Sequence, residues 1–212
     1  MKCGYILLLL SASSVIAGYG VLSAVTGQME GTGVWIDGTG IDNWTPATLE
    51  WNVSKTVDGV WHYEYTLNVY RGNVSHFILE TSINFDVSDI FNIESPGSSI
   101  EIGSFTPGPG NPYMPGDIYG IKFDDTAGTA LTLKFDSYRS PVWGDFYAKD
   151  GNAGDEITNT ICNSGFLAAD PTLPITDISV TGHLPTPDTV PEPSTFALLA
   201  TSCLYVCTRR KL

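Results

Sequence analysis

An antiparallel β-sandwich of jelly-roll-like or Ig-like type is the fold predicted for this 212-residue chain, and three observations predict it. Apolar residues recur at every second position in short stretches, the period of a half-buried strand. Clusters of Gly, Pro and Asp separate those stretches at regular spacing, as turns do in all-β domains. Between the two ends of the chain no long stretch carries a helical period. The ends themselves add an N-terminal signal helix and a short hydrophobic C-terminal helix to the expected all-β body.

At the N-terminus a single charge, Lys2, precedes the apolar run Tyr5 to Leu10 and then small residues as far as Ala17 and Gly18. That arrangement predicts a secretory signal peptide over residues 1–17, with cleavage after Ala17 and Ala24 as a second candidate site. The clearest strand pattern runs from Leu49 to Arg71. Leu49, Trp51 and Val53 alternate with polar residues, Val57-Asp-Gly59 turns the chain, and Trp61, Tyr63, Tyr65, Leu67 and Val69 then share one face. This is a hairpin with a core-facing side.

Further strands are expected at Val74–Thr81, Ile90–Glu94, Tyr119–Asp124, Leu131–Asp136, Val142–Lys149 and Ile175–Val180. The turn signal Asp125-Thr-Ala-Gly128 makes Gly120–Ser137 read as a second hairpin. Ser95–Asp117 holds five prolines and reads as a long ordered loop. Six more prolines lie between Pro171 and Pro193, so residues 171–189 read as a stiff, extended spacer behind a single-domain body of residues 18–170.

Composition narrows the function. All 23 acidic residues fall between Glu30 and Glu192, where only six cations oppose them, leaving a net charge of −17 over that interval. Such a field repels phosphate backbones and anionic lipid, which excludes nucleic acid as a partner of the body and favours cations or basic partners. Of four cysteines, Cys3 lies in the signal segment and Cys203 and Cys207 in the tail. Only Cys162 remains in the body, so no internal disulfide is expected and the core alone must hold the fold. Asn-X-Ser/Thr triplets begin at Asn43, Asn52 and Asn73.

The last segment, residues 190–212, has three parts in order: Val190-Pro191-Glu192-Pro193-Ser194, the apolar run Phe196 to Cys207, and the basic group Arg209, Arg210 and Lys211. A helix over that 12-residue run covers about 18 Å against a hydrocarbon core of about 30 Å, so it is marginal as a permanent span. The three basic residues would hold its end on the cytoplasmic side and stop translocation. In this order the parts resemble the PEP-CTERM sorting signal of Gram-negative bacteria. The resemblance implies recognition of Pro191, Glu192 and Pro193 by exosortase, a membrane peptidase with a cysteine nucleophile, during export to the cell surface or matrix, with the Sec machinery as the other expected partner. Cys203 and Cys207 depart from the small or aliphatic residues usual there, and serve as apolar filling or as lipid sites. The strings "WHYEYTL", "SHFILE", "NPYMPGDIYGIKFD" and "PVWGDFYAKDG", followed by "PDTVPEPS", are similar to a recurrent type of PEP-CTERM exported protein, a resemblance that implies export but no reaction.

The body carries no nucleophile elbow, phosphate loop or two-histidine zinc motif. Its histidines are His62, His76 and His183, the last within the spacer. His76 beside Ser75 reads either as a base or as an edge-strand histidine satisfied by solvent. Carboxylates such as Asp124 and Asp125 leave a two-acid hydrolase as a remote alternative. Asp150, Asn152, Asp155 and Glu156 offer hard oxygen donors in a Gly-containing loop, a candidate calcium site or else a polar turn. Trp143, Asp145 and Tyr147 alternate along one predicted strand, as a platform for exopolysaccharide would, or else as core packing. The expectation is therefore a secreted, acidic surface or extracellular-matrix protein, with no catalysis and no cofactor beyond calcium. A glycan- or calcium-binding module is the first alternative, and an extracellular hydrolase the second.

Overall fold

The computed structural model describes residues 25–29, 34–37, 44, 47–97, 99–151, 159–173, 175 and 182–189. The expected signal segment, the expected sorting segment and the helices predicted in them lie outside these residues. The described residues are all-β, with one 3-10 turn at Val87–Asp89. Every strand pairing is antiparallel.

Thirteen strands can be numbered in chain order: β1 (Val25–Met29), β2 (Val34–Asp37), β3 (Thr48–Lys55), β4 (Trp61–Asn68), β5 (Val74–Glu80), β6 (Ile90–Glu94), β7 (Ser99–Phe105), β8 (Ile118–Asp124), β9 (Ala130–Ser137), β10 (Ser140–Gly144), β11 (Phe146–Asp150), β12 (Thr160–Asn163) and β13 (Leu184–Thr189). They form a five-stranded sheet in the order β1-β3-β4-β9-β6, a six-stranded sheet in the order β2-β12-β11-β5-β8-β7, and a two-stranded ribbon of β10 and β13.

The expected hairpin over Leu49 to Arg71 is β3 and β4, closed by the Thr56 to Val60 turn with Gly59 at φ +84°. A positive φ of this kind suits glycine, which has no Cβ to clash. Along β4 burial alternates strictly, with Trp61, Tyr63, Tyr65 and Leu67 inside. The other face carries a cross-strand ladder to β9: His62 opposite Asp136, Glu64 opposite Lys134 at 3.0 Å, and Thr66 opposite Thr132. A shift of one residue would bring the apolar set outward and break this ladder, so both faces specify the same register.

One hydrophobic cluster draws on both large sheets. Tyr63, Tyr65 and Phe135 from the first meet Phe77, Phe123 and Phe146 from the second. Tyr65 and Phe77 have ring centroids 6.3 Å apart, and Phe123 and Phe135 6.1 Å. A smaller cluster lies on the opposite face of the six-stranded sheet, where Ile78, Ile118, Tyr147 and Cys162 are covered by Phe105, Met114 and Phe166. Cys162 is thus buried and unbridged. The Pro-rich segment supplies much of this cover, and the Tyr147 hydroxyl donates to the Pro112 carbonyl at 2.6 Å.

Four sequence expectations need correction. Gly120–Ser137 is not a hairpin: β8 pairs with β5 and β7, and β9 with β4 and β6, so the chain crosses from one sheet to the other through Asp125 at φ +57°. The apolar faces of β8 and β9 meet ring to ring instead of lying side by side. Ser95–Asp117 is not all loop, because Ser99–Phe105 is β7 at the sheet edge. Val142–Lys149 is not one strand but β10 and β11, which join different sheets on either side of Asp145. The spacer of residues 171–189 ends in β13, paired with β10 from Thr189 back to Leu184. Pro185 and Pro187 lack the N–H of a ladder donor, and a two-stranded ribbon accepts them because both its strands are edges. Of the expected Ile175–Val180 strand only Ile175 is described, buried in a turn.

The 3-10 turn before β6 is held by a group that the sequence pattern did not reveal. Asp86 and Asp89 form a reciprocal cap, and Arg139, which is buried, reaches in from the end of β9. Its Nε and Nη2 donate to the two carboxylate oxygens of Asp89 at 2.9 and 2.7 Å, and Nη2 also donates to the Asn84 carbonyl at 2.8 Å. The planar fork makes this bidentate bond, and an ammonium at the same place cannot. Arg139→Lys is therefore expected to lower the free energy of unfolding by about 1–3 kcal/mol in urea titration, since a buried charge loses its parallel bonds.

Candidate functional site

The residues with most chemical potential converge where β10 gives way to β11. Asp145 sits at that break because the chain changes sheets there: its N–H donates to Glu80 Oε2 at 2.8 Å, and its carbonyl accepts from the Glu80 N–H at 3.0 Å. Gly144 just before it is needed for contact, because a Cβ at that position would lie 2.5 Å from Thr186 Oγ1 in β13. Asn163, at the end of β12, is 1% exposed and ties the node together. Its Nδ2 donates to Asp145 Oδ1 and to the Gly182 carbonyl, and its Oδ1 accepts from the Phe146 N–H at 2.9 Å.

His183 enters from the turn before β13. Gly182 holds that turn at φ +93°, and the Gly165 N–H donates to the Gly182 carbonyl at 3.0 Å. The imidazole Nδ1 lies 3.2 Å from Asp145 Oδ1 and 3.5 Å from Asp170 Oδ1. His183 and Asp145 are buried, whereas the Asp170 side chain is 46% exposed, so the group opens to solvent on the Asp170 side. Asp145 beside it raises the His183 pKa above the usual imidazole range; burial opposes this, and the charges of Asp170 and Glu80 add to it.

The proposed platform of Trp143, Asp145 and Tyr147 is not brought together. Trp143 is 2% exposed and packs in the large cluster, and Tyr147 is 1% exposed in the smaller one. Neither ring offers a flat face to a sugar. The alternation that suggested the platform is broken by the change of sheet at Asp145. Trp61, Tyr63 and Tyr65 are core, as the period indicated.

Asp150, of the expected calcium loop, is buried, and its Oδ2 accepts from the Asn159 N–H at 2.8 Å and from Asn159 Nδ2 at 2.7 Å. It thereby ties the end of β11 to the residue before β12. Asn152, Asp155 and Glu156 lie outside the described residues. Val190, Pro191, Glu192, Pro193 and Ser194, expected as a sorting signal, and the basic Arg209, Arg210 and Lys211, expected as a membrane stop, also lie outside them.

His76 is not an edge-strand histidine satisfied by solvent. It is 3% exposed, on a strand flanked by β8 and β11, with Lys122, Asp124, Lys149 and Tyr147 around it. Nor does it serve Ser75, whose hydroxyl donates to the Asp150 carbonyl at 2.9 Å. Burial first, then the two lysines, push the His76 pKa down to about 3.

Asp170, His183 and Asn163 were not singled out by sequence. The signal available was the Gly182-His183-Leu184 step, in which an apolar residue follows a histidine within a supposedly solvated spacer. The chain matches no protein-family model, no curated protein and no solved structure.

Two outcomes follow from this geometry. The folded state keeps His76 neutral while the unfolded chain protonates near pH 6.5. Stability from this group is thus complete above that pH and is lost as pH falls from about 6.5 towards 3, at up to about 1.4 kcal/mol per pH unit. His76→Phe should flatten the acid limb of a plot of unfolding free energy against pH. A Cβ at position 165 would lie 2.4 Å from His183 Nε2 and 2.6 Å from the Gly182 carbonyl. Gly165→Ala is expected to cost about 1–3 kcal/mol in urea unfolding, as overpacking of a filled site does.

Proposed function

We propose that this chain is an exported bacterial surface or extracellular-matrix protein, cut by an exosortase-type membrane peptidase at its Pro-Glu-Pro segment, with a non-catalytic β-sandwich body. The observation that carries the proposal is the order Val190-Pro-Glu-Pro-Ser194, apolar run, then Arg209-Arg210-Lys211. A short apolar segment followed by cations acts as a temporary membrane stop, which gives a membrane peptidase time to act. The signal-like pattern of residues 1–17 and the net charge of −17 over the acidic interval agree with export and with solubility outside the cell.

The sandwich reading is supported by the ring contacts between the two large sheets. Successive strands exchange sheets repeatedly, which favours a jelly-roll-like over an Ig-like arrangement. On this reading the sorting element follows the body with no long spacer, since β13 ends at Thr189 and Val190 is next. The peptidase would then work close to the folded surface.

The test is intact-mass measurement of the protein recovered from outside an exosortase-bearing Gram-negative host. The wild-type chain should have lost its basic tail, and Glu192→Ala should retain it in the membrane fraction. Recovery of exported wild-type protein with Arg209, Arg210 and Lys211 still attached would overturn the proposal.

A further inference from the structure

We propose that Asp145, Asp170 and His183 form a divalent-cation site, matched best to zinc, that clamps the turn before β13 to the body. One donor atom from each residue lies within 4.8 Å of the others. His183 is 4% exposed, and its Nδ1 has no aligned hydrogen bond although two carboxylate oxygens stand 3.2 and 3.5 Å away. Oxygens that are close but off the N–H axis are poor acceptors. They are, however, where neighbouring ligands sit around a metal on the nitrogen's lone-pair axis. Zinc bonds of about 2.0–2.1 Å in a tetrahedron put ligand atoms about 3.3–3.4 Å apart, and the two observed separations bracket that edge.

The donor set identifies the cation class. Two carboxylates with an imidazole suit zinc and its transition-metal neighbours, whereas calcium and magnesium take all-oxygen sets. Asn163 would serve as the outer support, because its Nδ2 holds the Asp145 oxygen that would ligate and is itself fixed by the Gly182 carbonyl and the Phe146 N–H. Ligating carboxylates are commonly held in this way. Asp170, the half-exposed member, can close the remaining gap by side-chain rotation, and three protein ligands leave a fourth position for water on its solvent side.

The clamp would join the β10–β11 junction, the segment after β12 and the turn before β13. In a chain whose body holds Cys162 as its one cysteine, such a tie would replace a disulfide. The site is separate from Asp150 and the loop expected to take calcium, and it stands whether or not the tail is cut.

The test uses the full chain, freed of metal with a chelator and titrated with zinc chloride in a calorimeter. One saturable zinc per chain is expected, together with a higher thermal midpoint. Cobalt(II) in its place should give the intense visible bands of a tetrahedral site. Asp170→Asn, at an exposed position, should keep the circular dichroism of the wild type and lose both signals. His183→Gln should lose the cobalt bands, while Asp150→Asn should keep them. No saturable zinc in the wild type, equal uptake in Asp170→Asn, or binding of calcium in preference to zinc would each overturn the assignment.

Discussion

The aromatic contact between the two large sheets is the interaction on which the rest of the molecule depends. Tyr65 meets Phe77 with centroids 6.3 Å apart and Phe123 meets Phe135 at 6.1 Å across the sheets, while Tyr63 on Phe135 at 5.1 Å and Phe77 on Phe146 at 5.3 Å stack within each sheet. Rings of this size bury about 150–250 Å² each, and offset pairs add about 0.5–1.5 kcal/mol beyond burial. No disulfide joins the described residues, so burial in clusters such as this one has to offset chain entropy. The cluster also spans the crossing between β8 and β9: Phe123 of β8 packs on Phe135 of β9 from the other sheet, and the two strands part company at a turn that looks made for a hairpin.

That conflict marks the limit of what the sequence displays. The alternation along β4 is legible because one face is wholly apolar and the other wholly polar, so period two is visible without any partner. The turn at Asp125 is legible as a turn but not as a crossing between sheets, because turn chemistry is local and sheet membership is decided by partners far along the chain. β7 was hidden for another reason. It lies at an edge with only Phe105 buried, Ile100 and Ile102 are partly covered, and its flanking prolines and glycines dominate the local composition. Trp143 and Tyr147 show the reverse error: a correct alternation was carried across Asp145, where the chain changes sheets and the phase is lost.

The polar node at Asp145 was less legible still, because its members are spread over separate segments that share no sequence pattern. Asn163 is the clearest example. One amide satisfies a carboxylate, a backbone carbonyl and a backbone N–H, with only 1% of its surface exposed. Such an amide reads in sequence as a loop residue, and only tertiary structure gives it buried partners. The node also shows why bulk charge says little about the interior. The chain is strongly acidic, yet Asp145 and Asp150 are turned inward, where one oxygen of each accepts from Asn163 and Asn159 respectively.

The weakness of β13 explains why these contacts gather at one place. Among the described residues the strand pairs only with β10, and two of its six residues are prolines, so its backbone ladder is short of donors. Side chains make up the difference. Leu184 is fully buried, Thr186 is 1% exposed beside Gly144, and the Tyr65 hydroxyl donates to the Pro185 carbonyl at 2.7 Å from 120 residues away. All of these partners lie far back in the chain, and long-range contacts of this kind form only after the loops between them have closed. β13 is thus stabilised from its side chains inward, and His183 stands at its entry, where one added tie between the turn and the body has the greatest mechanical effect.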